Sequence, residues 1–191
     1  MNYHHWWHRQ RARFFIFFNQ RTRATQALEA ALAIDPSDTT AKNILGMFHG
    51  EAGRFHLAVA QFQSALRDEP ENAGTLFNLG FIRQKQNEHP EAIQAFDAAL
   101  RINPSIDRAW FGRGISHAAL GRHEQAVGDF ERAAKLQPMN PHALFELGMQ
   151  HPALNNQDKV IETINRLREF DPKTTRELID ATHTAIDMKQ G

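Results

Sequence analysis

The segment that decides the fold is residues 107–140, which read DRAWFGRGISHAALGRHEQAVGDFERAAKLQPMN. The same pattern returns every 34 residues along the 191-residue chain. Its most regular member is a proline near the end of each segment, at Pro36, Pro70, Pro104, Pro138 and Pro172. A fixed period of this length is typical of repeat architectures, in which each repeat is one supersecondary unit that stacks on the next.

Each repeat contains an apolar ladder on its second helix. In residues 107–140 the ladder is Ala126, Phe130 and Ala133, whose spacings of four and three place them on one helix face. The other repeats carry it as Ala24, Leu28 and Ala31; as Ala58, Phe62 and Ala65; as Ala92, Phe96 and Ala99; and as Val160, Ile164 and Leu167. A single helix pair cannot bury this face, so we expect the pairs to stack.

Glycine and asparagine mark the close contacts and the turns. Glycine within a helix costs roughly 1 kcal/mol relative to alanine. The first helices nevertheless carry glycine at one phase, at Gly46, Gly80, Gly114 and Gly148. This phase predicts that another helix packs closely there. Residues that tolerate a left-handed C-cap separate the two helices of each pair, at Asn19, Gly53, Asn87, Gly121 and Asn155.

Residues 107–140 resemble the tetratricopeptide repeat family, whose unit is a 34-residue helix-turn-helix. The matching residues are Trp110, Gly114, Ala126, Phe130, Ala133 and Pro138, and Arg113 stands where the family usually has Leu. The resemblance implies an all-α, right-handed α-solenoid formed by residues 1–191 as a single domain. About five repeats are expected, a degenerate one at 5–38 and others at 39–72, 73–106, 107–140 and 141–172, followed by a C-terminal capping helix at 173–189.

Two features near the C-terminus refine this scheme. Pro152 is expected to end the first helix of the last repeat near His151, or to kink it, because proline lacks the backbone donor and clashes one turn back. Thr174-Thr175-Arg176-Glu177 has the pattern of a capping box, which predicts the N-terminus of the capping helix at that point.

The resemblance places a ligand in the concave groove of the solenoid, which the first helices line at repeat positions five and nine. Position five holds Asn43, Phe77, Phe111 and Phe145, and position nine holds Met47, Phe81, Ile115 and Met149. This ladder predicts a groove for an amphipathic helix or an extended apolar segment of a protein partner. The phenylalanines at position five are then expected to be substantially exposed. The alternative is that they fill the seam between adjacent first helices.

Other ligands are less well supported. Family members that bind a C-terminal carboxylate use Lys at position five and Asn at position nine, and only Asn78, at position six, matches any part of that clamp. We therefore do not expect a receptor for chaperone tails. A small-molecule or haem-type ligand in the groove is a remote alternative, and no cofactor is expected.

Position eleven of the first helices holds His49, Arg83, His117 and His151. Consecutive members would lie about 10 Å apart, which is too far for them to share one metal ion. We expect half-buried imidazoles that are hydrogen-bonded to the neighbouring helix pair, and a pH-sensitive stack is an alternative.

Residues 1–28 differ in composition from the rest of the chain. They contain five arginines and no acidic residue, whereas residues 29–191 carry 17 basic and 22 acidic side chains. They also contain the aromatic residues Trp6, Trp7, Phe14, Phe17 and Phe18. Phe14, Phe15 and Phe18 are expected to pack on the second helix and the next repeat. Five consecutive large apolar residues at 14–18 surround a helix of 3.6 residues per turn, so part of this set is expected to stay uncovered.

Three hypotheses account for the uncovered aromatic residues. One is contact between copies of the chain in a homo-oligomer. Another is docking to a membrane surface, with tryptophan at the interface and arginine on anionic headgroups. The third is a chain whose natural cap lies further upstream. The apolar run is too short for a secretory signal, and cleavage of a transit peptide would cut into the first repeat.

Several function classes are not indicated. His4 and His8 have a chelating spacing, but no carboxylate is near them in the sequence, so we expect adventitious metal affinity rather than a metal site. The chain balances 22 basic against 22 acidic side chains, which argues against a nucleic-acid partner. No phosphate-binding loop, zinc-protease helix or nucleophile elbow occurs. The prediction is a non-enzymatic, cytoplasmic interaction scaffold or assembly factor, with self-association or peripheral membrane docking through the N-terminal helix as the alternative.

Overall fold

The computed structural model describes residues 3–190, with side chains described for residues 3–183. This part of the chain is helical and contains no strand, so the predicted all-α class is confirmed. The helices are α1 Tyr3–Phe17, α2 Arg21–Ile34, α3 Thr39–Glu51, α4 Phe55–Asp68, α5 Ala73–Lys85, α6 His89–Ile102, α7 Asp107–Ala119, α8 His123–Leu136, α9 Pro141–Gln150, α10 Gln157–Arg168 and α11 Pro172–Gln190. A 3₁₀ turn, His151–Leu154, lies between α9 and α10.

The chain forms two compact units. The first is Met1–Glu88 and contains α1 to α5, and the second is His89–Gly191 and contains α6 to α11. In the first unit, each helix from α1 to α4 packs on the one that follows it. In the second unit, consecutive helices from α6 to α11 pack in the same way, and α11 also contacts α9. Each unit is therefore a stack of helices in which consecutive members pack together.

The apolar ladder of the second helices packs on the glycines of the first helices. A Cβ atom added at Gly46 would lie 2.6 Å from the Phe62 ring, and one added at Gly114 would lie 2.7 Å from the Phe130 ring. Both rings are fully buried. The close approach predicted from the phase of these glycines is confirmed, because only a residue without Cβ leaves room for the ring.

The predicted turns have the predicted backbone. Asn19, Gly53, Asn87, Gly121 and Asn155 have φ angles of 53°, 70°, 60°, 69° and 55°, all in the left-handed region. Pro152 also acts as expected, since α9 ends at Gln150 and a 3₁₀ turn begins at His151. These residues set the length of each helix and the direction in which its partner returns.

The start of α11 differs from the prediction. The helix begins at Pro172, and Oδ1 of Asp171 accepts a hydrogen bond from the backbone N–H of Thr174 at 3.0 Å. The capping box expected at Thr174–Glu177 is therefore wrong, because Asp171 and a proline at the first helical position form the N-terminus three residues earlier. The buried Leu178 of α11 covers Gly148, where an added Cβ would lie 2.6 Å from its side chain.

Candidate functional site

The residues predicted to line a groove lie on the first helix of successive pairs. We call them the first-helix face. In the first unit its members are Asn43, Met47, Phe77, Asn78 and Phe81, on α3 and α5; in the second unit they are Phe111, Ile115, Phe145 and Met149, on α7 and α9. Since α3 contacts α5 and α7 contacts α9, each unit brings its own members onto neighbouring helices.

In the first unit, the first-helix face is open to solvent at position nine. Met47 and Phe81 are 47% and 43% exposed. Phe77, Asn43 and Asn78 are half-buried beside them. The Nζ atom of Lys85 lies 5.3 Å from the centroid of the Phe81 ring, so a cation borders the exposed apolar surface.

In the second unit, the first-helix face is more covered. Phe111, Ile115, Phe145 and Met149 are half-buried and pack against the core of the unit. The rings of Phe111 and Phe130 lie 5.7 Å apart between centroids. The expectation that position five is substantially exposed is therefore wrong, because these rings also pack inward and Phe77 is half-buried as well.

The histidines at position eleven are not hydrogen-bonded as expected. His49 and His117 are half-buried and His151 is buried. In each of them Nδ1 is buried without a hydrogen-bond partner among the described residues. Burial lowers the pKa of all three imidazoles. Within residues 3–183, no group of three or more His, Cys, Asp or Glu side chains could hold a metal ion.

Arg113, which stands where the family usually has Leu, is half-buried and pairs with the buried carboxylate of Asp129 and the partly exposed carboxylate of Asp97. Its guanidinium donates to Asp129 from Nε to Oδ2 at 3.0 Å and from Nη2 to Oδ1 at 2.6 Å. It also donates to Asp97 and lies 4.6 Å over the ring of Trp110. Burial raises the pKa of Asp129, and the adjacent arginine opposes that rise. The sequence shows the unusual arginine, but the two carboxylates that it pairs with lie on α6 and α8.

The inner side of α1 is held by a buried carboxylate that the sequence did not indicate. Oδ2 of Asp38 lies 2.9 Å from Nε2 of His5 and 3.4 Å from Nε of Arg9. Oδ1 of the same residue accepts from the N–H of Ala41 and caps α3. His5 therefore has a carboxylate beside it that lies 33 positions later in the sequence.

Only part of the N-terminal aromatic run packs inward. Phe15 lies against the cluster that contains Ala12, Leu28 and Leu45. Phe14 and Phe18, which were expected to pack with it, are 55% and 54% exposed. That expectation is wrong for these two residues because α1 turns its Ala12 and Phe15 side towards α2 and α3, and successive residues project about 100° apart.

The outer side of α1 is an exposed aromatic surface. We call it the α1 outer surface; its members, all between 49% and 85% exposed, are Tyr3, Trp6, Trp7, Phe14, Phe17 and Phe18. At 3.6 residues per turn they span about a third of the helix circumference, with Gln10 among them. Their phenylalanine rings also contact each other, with centroid distances of 4.7 Å for Phe14–Phe18 and 5.1 Å for Phe17–Phe18.

Among the described residues, none of the helices combines the length and the apolar character that crossing a bilayer requires. The helix α1 carries the α1 outer surface on one side and packs on protein with the other.

Comparison with known proteins agrees with the repeat pattern. A model of the tetratricopeptide repeat family matches residues 49–105, 82–141 and 111–172. Among curated proteins, none is similar enough to this chain to count as a match.

Several solved structures share the fold. MamA from Desulfovibrio magneticus RS-1 is 16% identical, with 87% of this chain and 94% of that chain covered and a TM-score of 0.81. YrrB, described as a tetratricopeptide protein with an unusual peptide-binding site, is 23% identical, with 94% and 89% covered and a TM-score of 0.75. PilF from Pseudomonas aeruginosa is 19% identical, with 97% and 89% covered and a TM-score of 0.77. At these identities the similarity shows the fold.

Proposed function

Because the chain belongs to the tetratricopeptide repeat family, we propose that it is a non-enzymatic interaction scaffold or assembly factor whose first-helix face binds an apolar segment of a partner protein. The family as a whole points to protein–protein interaction. The fold is shared with YrrB, which is described as having a peptide-binding site. Fold alone does not specify a ligand, so the proposal depends on the surface of this chain.

The observation that carries the proposal is the exposure of Met47 and Phe81. They occupy equivalent positions on the neighbouring helices α3 and α5, and both leave a large apolar side chain in solvent. The half-buried ring of Phe77 lies one helical turn before Phe81 on α5 and extends this apolar surface. Adjacent exposed apolar side chains on a helical surface suit the apolar side of a partner helix. A methionine can adapt its shape to different partners.

Selection of peptides from a random library on the purified full chain tests the proposal. Peptides that bind the wild type should bind the variant Met47→Ala/Phe81→Ala at least ~10-fold more weakly, because burial of two large apolar side chains is lost. The matched control is Ile161→Ala, on α10, where the side chain is 57% exposed. Equal affinity for the wild type and both variants would show that the first-helix face is not the binding surface.

The α1 outer surface favours a second candidate function, in which the chain associates with itself or docks on a membrane through that surface. Five exposed aromatic side chains on α1, with a sixth at Phe18 directly after it, exceed what scattered surface hydrophobic residues explain. Sedimentation equilibrium of the full chain and of Trp7→Ser/Phe17→Ser tests self-association. A dimer or larger assembly that becomes monomeric in the variant supports it, and a wild-type monomer contradicts it.

A further inference from the structure

The geometry points to an anionic lipid bilayer as the occupant of the α1 outer surface. This inference rests on the second proposed function and is independent of peptide binding at the first-helix face. Tyrosine and tryptophan have an apolar ring with a polar edge, and such side chains reside at the boundary between headgroups and acyl chains. Tyr3, Trp6 and Trp7 place three of them on one exposed side of α1, next to Phe14 and Phe17.

Arginines border the aromatic surface on both edges. By helical periodicity, Arg13 falls on the same edge as Trp6. Arg11 falls on the opposite edge, where its guanidinium lies 5.9 Å from the centroid of the Phe15 ring. Both arginines are exposed. A guanidinium beside an inserted aromatic ring can contact a phosphate in the headgroup layer. The arrangement therefore combines an apolar centre with a cationic border.

Charge distinguishes a lipid surface from a second copy of the chain. Residues 1–28 carry five arginines and no acidic residue. In the folded chain Arg9 pairs with Asp38 and Arg21 with Glu51, so the cations that border the α1 outer surface are Arg11 and Arg13. Two such surfaces placed against each other would bring these arginines together, which is unfavourable. An anionic bilayer offers the opposite charge over an area as broad as the helix, and each basic residue near it adds about 1 kcal/mol, or about fivefold in partitioning.

The protein holds α1 so that its outer side stays available. His5 and Arg9 contact Asp38, and Ala12 and Phe15 pack against the core of the first unit. The aromatic side chains are therefore presented by a helix that is already folded, and docking does not require the loss of chain entropy that a disordered segment would incur.

Co-sedimentation of the full chain with vesicles tests the inference. One set of vesicles is phosphatidylcholine alone, and the other contains phosphatidylserine as well. We expect binding to the anionic vesicles that weakens as salt is raised. Arg11→Gln/Arg13→Gln should lower the partition coefficient by about 25-fold, and Trp7→Ser/Phe17→Ser by at least ~10-fold. Brominated lipid should quench tryptophan emission in the wild type, because Trp6 and Trp7 enter the interface.

Matched controls keep the test specific. Met139→Ser/Ile161→Ser removes exposed apolar side chains and Arg122→Gln/Arg176→Gln removes exposed cations elsewhere; both should bind anionic vesicles like the wild type. Circular dichroism melting of each variant checks that it is folded. Met47→Ala/Phe81→Ala should also bind vesicles normally, which separates this inference from peptide binding.

Several outcomes would overturn the inference. One is no sedimentation with anionic vesicles while peptide selection succeeds, which leaves the first proposed function standing. A second is equal vesicle binding by the wild type and by Trp7→Ser/Phe17→Ser. A third is sedimentation of the wild type with vesicles whose brominated lipid does not quench its tryptophan emission. A chain that forms dimers through the α1 outer surface, or binds a single-stranded oligonucleotide through it, without binding vesicles would assign the surface to a different occupant.

Discussion

The guanidinium of Arg113 donates to both oxygens of the buried Asp129 carboxylate, from Nε to Oδ2 at 3.0 Å and from Nη2 to Oδ1 at 2.6 Å. Replacing Arg113 with Leu, the usual residue of the family, leaves a buried carboxylate without its cation. We expect Arg113→Leu to lower the free energy of unfolding by about 3–5 kcal/mol, as measured by urea denaturation at neutral pH.

The double variant Arg113→Leu/Asp129→Ala separates the pair from the packing. Ala95 occupies the equivalent position one repeat earlier, so the fold accommodates alanine there. We expect the double variant to recover most of the loss, because replacing both members of a buried pair by apolar groups is often close to neutral. A double variant as unstable as the single one would contradict this account.

Gly114→Ala and Gly128→Ala form a matched pair of glycine substitutions. A Cβ at Gly114 would lie 2.7 Å from the Phe130 ring, whereas one at Gly128 would meet nothing within 4 Å. We expect Gly114→Ala to destabilise the protein by about 1–3 kcal/mol through overpacking. Gly128→Ala, within α8, should stabilise it by about 0.5–1 kcal/mol. Thermal melting followed by circular dichroism measures both, and shifts of the same sign would contradict the packing described.

Much of the fold is predictable from the sequence because the same turn residues and helix glycines recur every 34 residues. Asn19, Asn87 and Asn155 adopt the left-handed conformation expected of a C-cap, since few other residues tolerate it. The contact of Gly46 with Phe62 followed from the phase of the glycine. Such features need only helical geometry and residue size.

The parts that could not be predicted depend on the rotation of a helix and on contacts distant in sequence. The pattern at 14–18 does not show which side of α1 packs inward, so it predicts inward packing of Phe14 and Phe18 together with Phe15. The pairing of His5 with Asp38 spans 33 residues. The extent to which Phe111 is covered depends on how α7 packs on its neighbours, which the periodicity alone does not fix.

Asp38 has two separable roles, and two substitutions distinguish them. Asp38→Ala removes the N-cap of α3 and the acceptor for His5 and Arg9, so we expect a loss of about 1–3 kcal/mol in the free energy of unfolding. Asp38→Asn keeps a good N-cap but loses the charge, and should be destabilised by less. Urea denaturation measures both. If Asp38→Asn matches the wild type, the contacts to α1 contribute nothing.

Stability should fall as the pH is lowered through the range in which histidine titrates. Burial lowers the pKa of His49, His117 and His151 in the folded protein. Below the ordinary histidine pKa of about 6.5, the unfolded chain therefore binds more protons than the folded one. The free energy of unfolding then decreases as the pH falls. The histidine contribution is complete above that value and is lost as the pH falls towards the folded pKa values.

Urea denaturation at several pH values between about 7.5 and about 5.5 measures this dependence. In His151→Gln the free energy of unfolding should depend less steeply on pH than in the wild type. The matched control is His142→Gln, because His142 is exposed. A dependence on pH that is the same in His151→Gln as in the wild type would contradict the lowered pKa of His151.

Photo-crosslinking tests peptide binding at the first-helix face most directly. Benzoylphenylalanine is placed at Phe81 in one preparation of the full chain and at Ile161 in another, and each is irradiated with a labelled peptide selected on the wild type. Both positions are exposed, so both probes are accessible to a peptide. The account predicts a peptide adduct at position 81 and none at position 161. An adduct at position 161 without one at position 81 would contradict it.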